Sequence, residues 1–141
     1  MNDLDEICTM ACDFRKLWES VLQRALAHQN TAGSCLYAAM LLSTSLTKFG
    51  GASAGVCGGD GRDGGLRGLD GVLHGHYWVE GQTAQGHAFV ADVTADQFGH
   101  AAVMVLPLQV GRSVYQPGDQ AVVDGHVERE GARCVATECE Q

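Results

Sequence analysis

Basic side chains are scarce in this chain. Nine Lys plus Arg stand against seventeen Asp plus Glu, a formal charge of −8 over 141 residues. Binding to a phosphate backbone draws most of its affinity from basic side chains, so this balance argues against nucleic acid as a partner. Long hydrophobic runs are missing too. None approaches the roughly 18 residues of a membrane-spanning helix, so no membrane partner is expected. The first residues, Met1-Asn2-Asp3-Leu4-Asp5-Glu6, are acidic where a secretory leader is basic, and no apolar leader core follows; the expectation is a cytoplasmic protein. In that reducing setting the six cysteines are read as free thiols or metal ligands before disulfides. Cys8 and Cys12 are spaced for one helix face, and Cys134 and Cys139 stand five apart. Neither pair has zinc-ligand spacing with a matching second pair, so no structural metal is expected.

At 45% hydrophobic and 18% charged, the chain has a globular composition. Its length suits one domain with one core, and no internal repeat divides it. Asp3 with Glu6 resembles a capping box, after which Leu4, Ile7, Ala11, Phe14, Trp18, Val21 and Ala25 recur at three- and four-residue steps, the pattern of a long amphipathic helix. Asn30-Thr31-Ala32-Gly33-Ser34 breaks it, with Thr31 or Ser34 as N-cap. Residues 35–49 then read as a second helix, apolar nearly all round at its start, with Gly50 at its C′ position. Residues 50–71 are glycine-rich with few apolar side chains, and read as a mobile loop or lid. Within them Gly59-Asp60-Gly61-Arg62-Asp63-Gly64 matches the dinucleotide pattern by letter. With no strand expected before it and no helix after, the match is taken as chance. Strand signals follow at 73–80, 87–94, 102–108 and 121–130, and residues 134–141 read as a polar tail that frays. Two helices followed by about four strands predict an α+β domain, the N-terminal helices packed on an antiparallel sheet.

The chemistry starts at Gly33-Ser34-Cys35-Leu36-Tyr37, where a lone thiol stands at the first turn of an apolar helix. A helix N-terminus carries partial positive charge and unpaired N–H groups, which favour a thiolate and can hold an oxyanion. Against this stands the ordinary role of a free cysteine as a small buried apolar residue. Downstream, His76-Tyr77-Trp78 is followed by Asp92-Val93-Thr94, with the aspartate sixteen residues after the histidine. This order resembles the transglutaminase-like superfamily of papain-fold enzymes, whose members show a cysteine, then a His-x-Trp strand, then an Asp-x-Thr strand. The resemblance covers roughly residues 33–98 and implies a papain-like fold with Cys35 as nucleophile, His76 as base, Asp92 as its orienting group and Trp78 as a packing residue of the motif. It also implies an oxyanion role for Gln29, six residues before Cys35. Leu36 and Ala32 depart from the papain-type pattern, which has an aromatic residue and a further cysteine there. Gln97, in Asp96-Gln97-Phe98-Gly99, is a candidate for the substrate side, with a plain strand-ending turn as the alternative.

Strand parity selects among the histidines. His74, His76, Trp78 and Glu80 share one face, as do Val90, Asp92 and Thr94, whereas His87 lies five positions from Asp92 and off that face. A five-residue loop at 82–86 would pair Gly81 with His87 and bring His76 opposite Asp92. The expected activity is attack on an amide, peptide or isopeptide carbonyl through a thioester, ending in hydrolysis, deamidation or transamidation, with no cofactor. The substrate is then a protein, a peptide or a small amide. Two other readings remain: a binding or scaffold domain of the same fold without turnover, and a metal-binding module.

Overall fold

The computed structural model describes residues 3–22 and 34–139. It is an α+β fold in which two N-terminal helices pack on a four-stranded antiparallel sheet, with a small three-stranded sheet beside it. Helix α1 (Asp3–Leu17) buries Ile7, Ala11 and Phe14 and runs on as a π-helical turn over Trp18–Leu22, whose Trp18 is also buried. Those steps of three and four put one stripe on the core. Ala25 and Thr31 lie outside the described residues. Asp3 does not act as the N-cap of a capping box. Its carboxylate accepts hydrogen bonds from Thr83 Oγ1 and His87 Nδ1, fastening the helix start to the turn of a hairpin.

Helix α2 (Ser34–Phe49) buries Cys35, Leu36, Tyr37, Ala38, Ala39, Leu42, Ser43 and Leu46, as its nearly uniform apolar start requires. Its left-handed terminating residue is Gly51, with φ 66°, and not Gly50. The Gly50 amide still bonds back to the Leu46 carbonyl at 3.0 Å, and Ala52 N reaches the same oxygen, so the reversal comes one residue later than expected.

Residues 50–71 are not a mobile loop. They hold strands β1 (Ser53–Gly59) and β2 (Gly65–Arg67). The main sheet has the order β1-β4-β5-β6, with β4 at His76–Gln82, β5 at Ala88–Asp92 and β6 at Met104–Pro107. Strand β1 pairs with β4 along its whole length, from Ser53↔Gln82 to Gly59↔His76. The glycines there mark close backbone approach: a Cβ on Gly59 would lie 2.2 Å from the Gly64 carbonyl carbon, and one on Gly58 2.7 Å from the His76 oxygen. A strand does therefore precede the Gly59–Gly64 pattern, but the element after it is the short strand β2 and not a helix, so the phosphate-binding geometry is still missing. Strands β3 (Leu73–His74) and β7 (Tyr115–Gln116) flank β2 in the second sheet.

The last predicted strand, 121–130, is also corrected. After the single turn of α3 (Leu108–Gly111), the last described element is helix α4 (Gln120–Cys139), in which residues 134–139 of the predicted fraying tail are helical backbone. Asp119 caps it, its Oδ1 accepting the Ala121 and Val122 amides at 3.0 and 3.4 Å. Val123 is buried and Val127 packs beside it, a four-residue step that suits a helix face. Of the β-branched pair that looked like a strand, Val123 lies on that face and Val122 is exposed.

The sheet is covered on both sides. One face carries Val79, Phe89 and Ala91 against α1, α2 and α4; the other carries Trp78 and Val90 against Leu66, Ala95 and Tyr115. Among the described residues no helix is long and apolar enough to cross a membrane.

Candidate active site

Strands β4 and β5 pair as Val79↔Ala91, Glu80↔Val90, Gly81↔Phe89 and Gln82↔Ala88. This register is two residues away from the predicted one, because the five-residue connection is 83–87 and not 82–86; Thr83 N donates to the His87 carbonyl and closes it. A shift of two preserves the side-chain faces. His76 and Asp92 thus meet as diagonal neighbours and not as a directly opposed pair, within reach of long side chains.

His76 Nε2 lies 2.8 Å from Asp92 Oδ2, with His76 1% and Asp92 2% exposed. The carboxylate is held on both oxygens. Oδ1 accepts the Thr94 amide at 2.9 Å and the Thr94 hydroxyl at 3.2 Å. Oδ2 accepts the Tyr115 hydroxyl at 2.8 Å as well as the imidazole. Burial works against the charge on Asp92, yet His76, the Thr94 amide and Tyr115 outweigh it and hold the carboxyl below its ordinary value. Burial likewise opposes the imidazolium, but the Asp92 charge and hydrogen bond, reinforced by Cys35, push His76 up to about 10.

Cys35, in the first turn of α2, is 7% exposed. It acts on the His76 ring both as a hydrogen-bonding group and as a charge. With Nε2 on Asp92, the nitrogen left for the thiol is Nδ1, which among the described residues is the single buried side-chain nitrogen or oxygen without a full hydrogen bond. The imidazole thus has the carboxylate on Nε2 and the thiol among the groups that act on its ring. Such an arrangement can move a proton from sulfur to nitrogen while the carboxylate stabilises the resulting imidazolium.

The two other histidines weighed in the sequence, His74 and His87, are engaged elsewhere. His74 pairs with Asp70 at 2.9 Å and stacks on Phe98 at 4.4 Å between centroids. His87 Nδ1 is on Asp3 at 2.8 Å. Trp78 is fully buried, donates from Nε1 to Glu80 at 2.8 Å, and tilts against Tyr115; it lies in the wall behind the site. Gln97 is exposed on the 3-10 turn Ala95–Phe98. Gln29 lies outside the described residues. Cys57 faces Glu80, and burial together with that charge pushes its thiol up to about 12.

Three contributions escaped the sequence reading. Phe98 meets His76 edge-on at 5.3 Å, closing one side of the imidazole. Arg15 of α1 clamps the turn that carries it, donating to Val93 O at 2.6 Å and to both oxygens of Asp96 at 3.0 and 2.9 Å. Tyr115 arrives from the second sheet, twenty-three residues after Asp92. Only the first had a local signal, an aromatic residue just past the Asp-x-Thr strand. Among the described residues no group of three or more His, Cys, Asp or Glu could hold a metal ion. A scan of protein-family models finds no match to this chain, and searches of curated proteins and of solved structures find none either.

Proposed function

We propose that this chain is a thiol enzyme acting on an amide, peptide or isopeptide carbonyl, with Cys35 as nucleophile, His76 as acid and base, and Asp92 as the group that orients and charges the imidazole. The reading rests on one observation above all: a fully buried His76–Asp92 pair whose remaining ring nitrogen is left to the thiol at a helix start. In the first half-reaction Sγ, its proton already resting on His76 Nδ1 because Asp92 holds the ring in its protonated form, attacks the carbonyl carbon. The imidazolium then protonates the leaving amine as the C–N bond breaks, which leaves a thioester. Water or an amine attacks the thioester, His76 takes the attacker's proton, and Sγ departs as the thiolate. Helical N–H groups at the start of α2 are the available donors to the oxyanion. The order of Cys35, His76-x-Trp78 and Asp92-x-Thr94 supports a transglutaminase-like assignment, in a reducing cytoplasmic setting where Cys8, Cys12, Cys35 and Cys57 form no disulfide.

A second reading, a binding or scaffold domain without turnover, draws on how closed the pair is, with Cys35 only 7% exposed. Alkylation by iodoacetamide at pH 6.5, read by peptide mass, separates the two. The enzyme reading expects Cys35 to react well ahead of the exposed Cys8 and of Cys57, and Cys35→Ala to remove that fast phase while keeping the fold. Equal rates at all cysteines would favour the scaffold.

A further inference from the structure

Asp92 Oδ2 has two donors. His76 Nε2 and the Tyr115 hydroxyl both approach it at 2.8 Å, while Thr94 occupies Oδ1 through two hydrogen bonds. Tyr115 is fully buried, and burial together with the adjacent Asp92 charge pushes its phenol far above the ordinary value, so it remains a protonated donor. Its position is determined by the second sheet, where Leu66 pairs with Tyr115, and by the face of Trp78, 5.2 Å away between ring centroids. A phenylalanine would keep the ring contact with Trp78 and lose only the hydrogen bond to Oδ2. The hydroxyl is therefore the feature to explain.

Two donors on one oxygen share its electron density. The phenol bond to Oδ2 is strongest when the imidazole is neutral and the carboxylate charge uncompensated, and weaker when the imidazolium already occupies that oxygen. A group that binds the neutral-imidazole state more tightly makes the imidazolium easier to deprotonate. We propose that Tyr115 is a positioning residue of the Cys35–His76–Asp92 site: it aims Oδ2 at the imidazole and, by competing for that oxygen, limits how tightly Asp92 holds the ring in its protonated form. This rests on the thiol-enzyme reading for its purpose, since an acid that must hand its proton to a leaving amine cannot be held too firmly. The groups acting on the ring are Asp92 from β5 and Cys35 from α2; Tyr115 and Thr94 act through Asp92, and the His74–Asp70 pair lies across Phe98.

The test is Tyr115→Phe, which removes one oxygen and keeps the ring, with the His76 ring nitrogens followed by NMR against pH in protein labelled at histidine. The expected result is an upward move of the His76 titration by about half a pH unit or more, because a hydrogen bond to a charged group is lost from one side of the equilibrium. The alkaline limb of Cys35 alkylation by iodoacetate, which follows the imidazolium, moves with it. A folded Tyr115→Phe protein whose His76 titrates as in the wild type, or lower, overturns the proposal. Loss of fold in that variant is met by placing 3-fluorotyrosine at position 115. This stronger donor of nearly the same shape moves the His76 titration downward if the two donors compete, and no movement overturns the proposal. An NMR shift without preferential alkylation of Cys35 supports the competition at Oδ2 while refuting the thiol-enzyme reading, so the two failures are distinct.

Discussion

Replacing Asp92 by Asn probes the site most directly, because every neighbour of the carboxylate is a donor. Thr94 N and Oγ1 donate to Oδ1, and Tyr115 and His76 to Oδ2. An asparagine has one acceptor oxygen and one amide nitrogen. The Thr94 amide can only donate, so it claims the oxygen and turns the NH2 group toward Tyr115 and His76. His76 Nε2 must then accept, which places the ring proton on Nδ1, where it faces the thiol as a donor and cannot take the thiol's proton. The thiol then has no acceptor for its proton, so Cys35 alkylation at pH 6.5 should fall by about two orders of magnitude, the thiolate deficit of an unassisted thiol at that pH, and approach the wild-type rate in alkali. Turnover, once a substrate is known, should fall by about four orders of magnitude, as it does when the orienting carboxylate of a serine-protease triad is changed to the amide. Stability carries a second signature. The raised His76 stabilises the fold fully below its unfolded value near 6.5, and that stability is lost as pH rises through about 10. Over that window, at roughly 1.4 kcal/mol per pH unit, its upper bound is on the order of 5 kcal/mol. Urea denaturation at pH 6.5, 8 and 9.5 should show this decline in the wild type and a much flatter profile in Asp92→Asn. His76→Ala should lose the low-pH alkylation, while His87→Ala, whose ring sits on Asp3, should keep it. An Asn variant with wild-type alkylation at pH 6.5 and an unchanged stability slope would refute the reasoning.

Gly59→Ala places a Cβ against the Gly64 carbonyl carbon at 2.2 Å, so it should cost about 3 kcal/mol or more and open residues 53–67 to proteases that spare the wild type; a variant of unchanged stability and resistance would restore the loop reading. Asp119→Ala removes the cap of α4 and should lower stability by about 1 kcal/mol with loss of helical circular dichroism, whereas an unchanged spectrum and midpoint would contradict a helix starting there.

Periodicity carried the two N-terminal helices, because Ile7, Ala11, Phe14 and Trp18, and then the apolar start of α2, are statements about one face of a local structure. Parity carried the shared face of His76 and Asp92. A two-residue error in the turn left that face intact, since side chains alternate with a period of two. What sequence alone could not settle are features whose cause lies far along the chain. Strand β1 has too few side chains to signal itself; its glycines are there because β4 and the 60–64 turn come close to its backbone. Residues 121–130 contain the β-branched pair Val122-Val123 and read as a strand, yet the Asp119 cap and the surface offered by α2 and β1 make a helix the better packed state, a tertiary preference overriding a weak local one. Tyr115 had no signal at all. It reaches Asp92 only because a second sheet folds Leu66 and Tyr115 over Trp78, and the pairing of remote strands is set by which surfaces can be buried together, not by the residues adjacent in the chain.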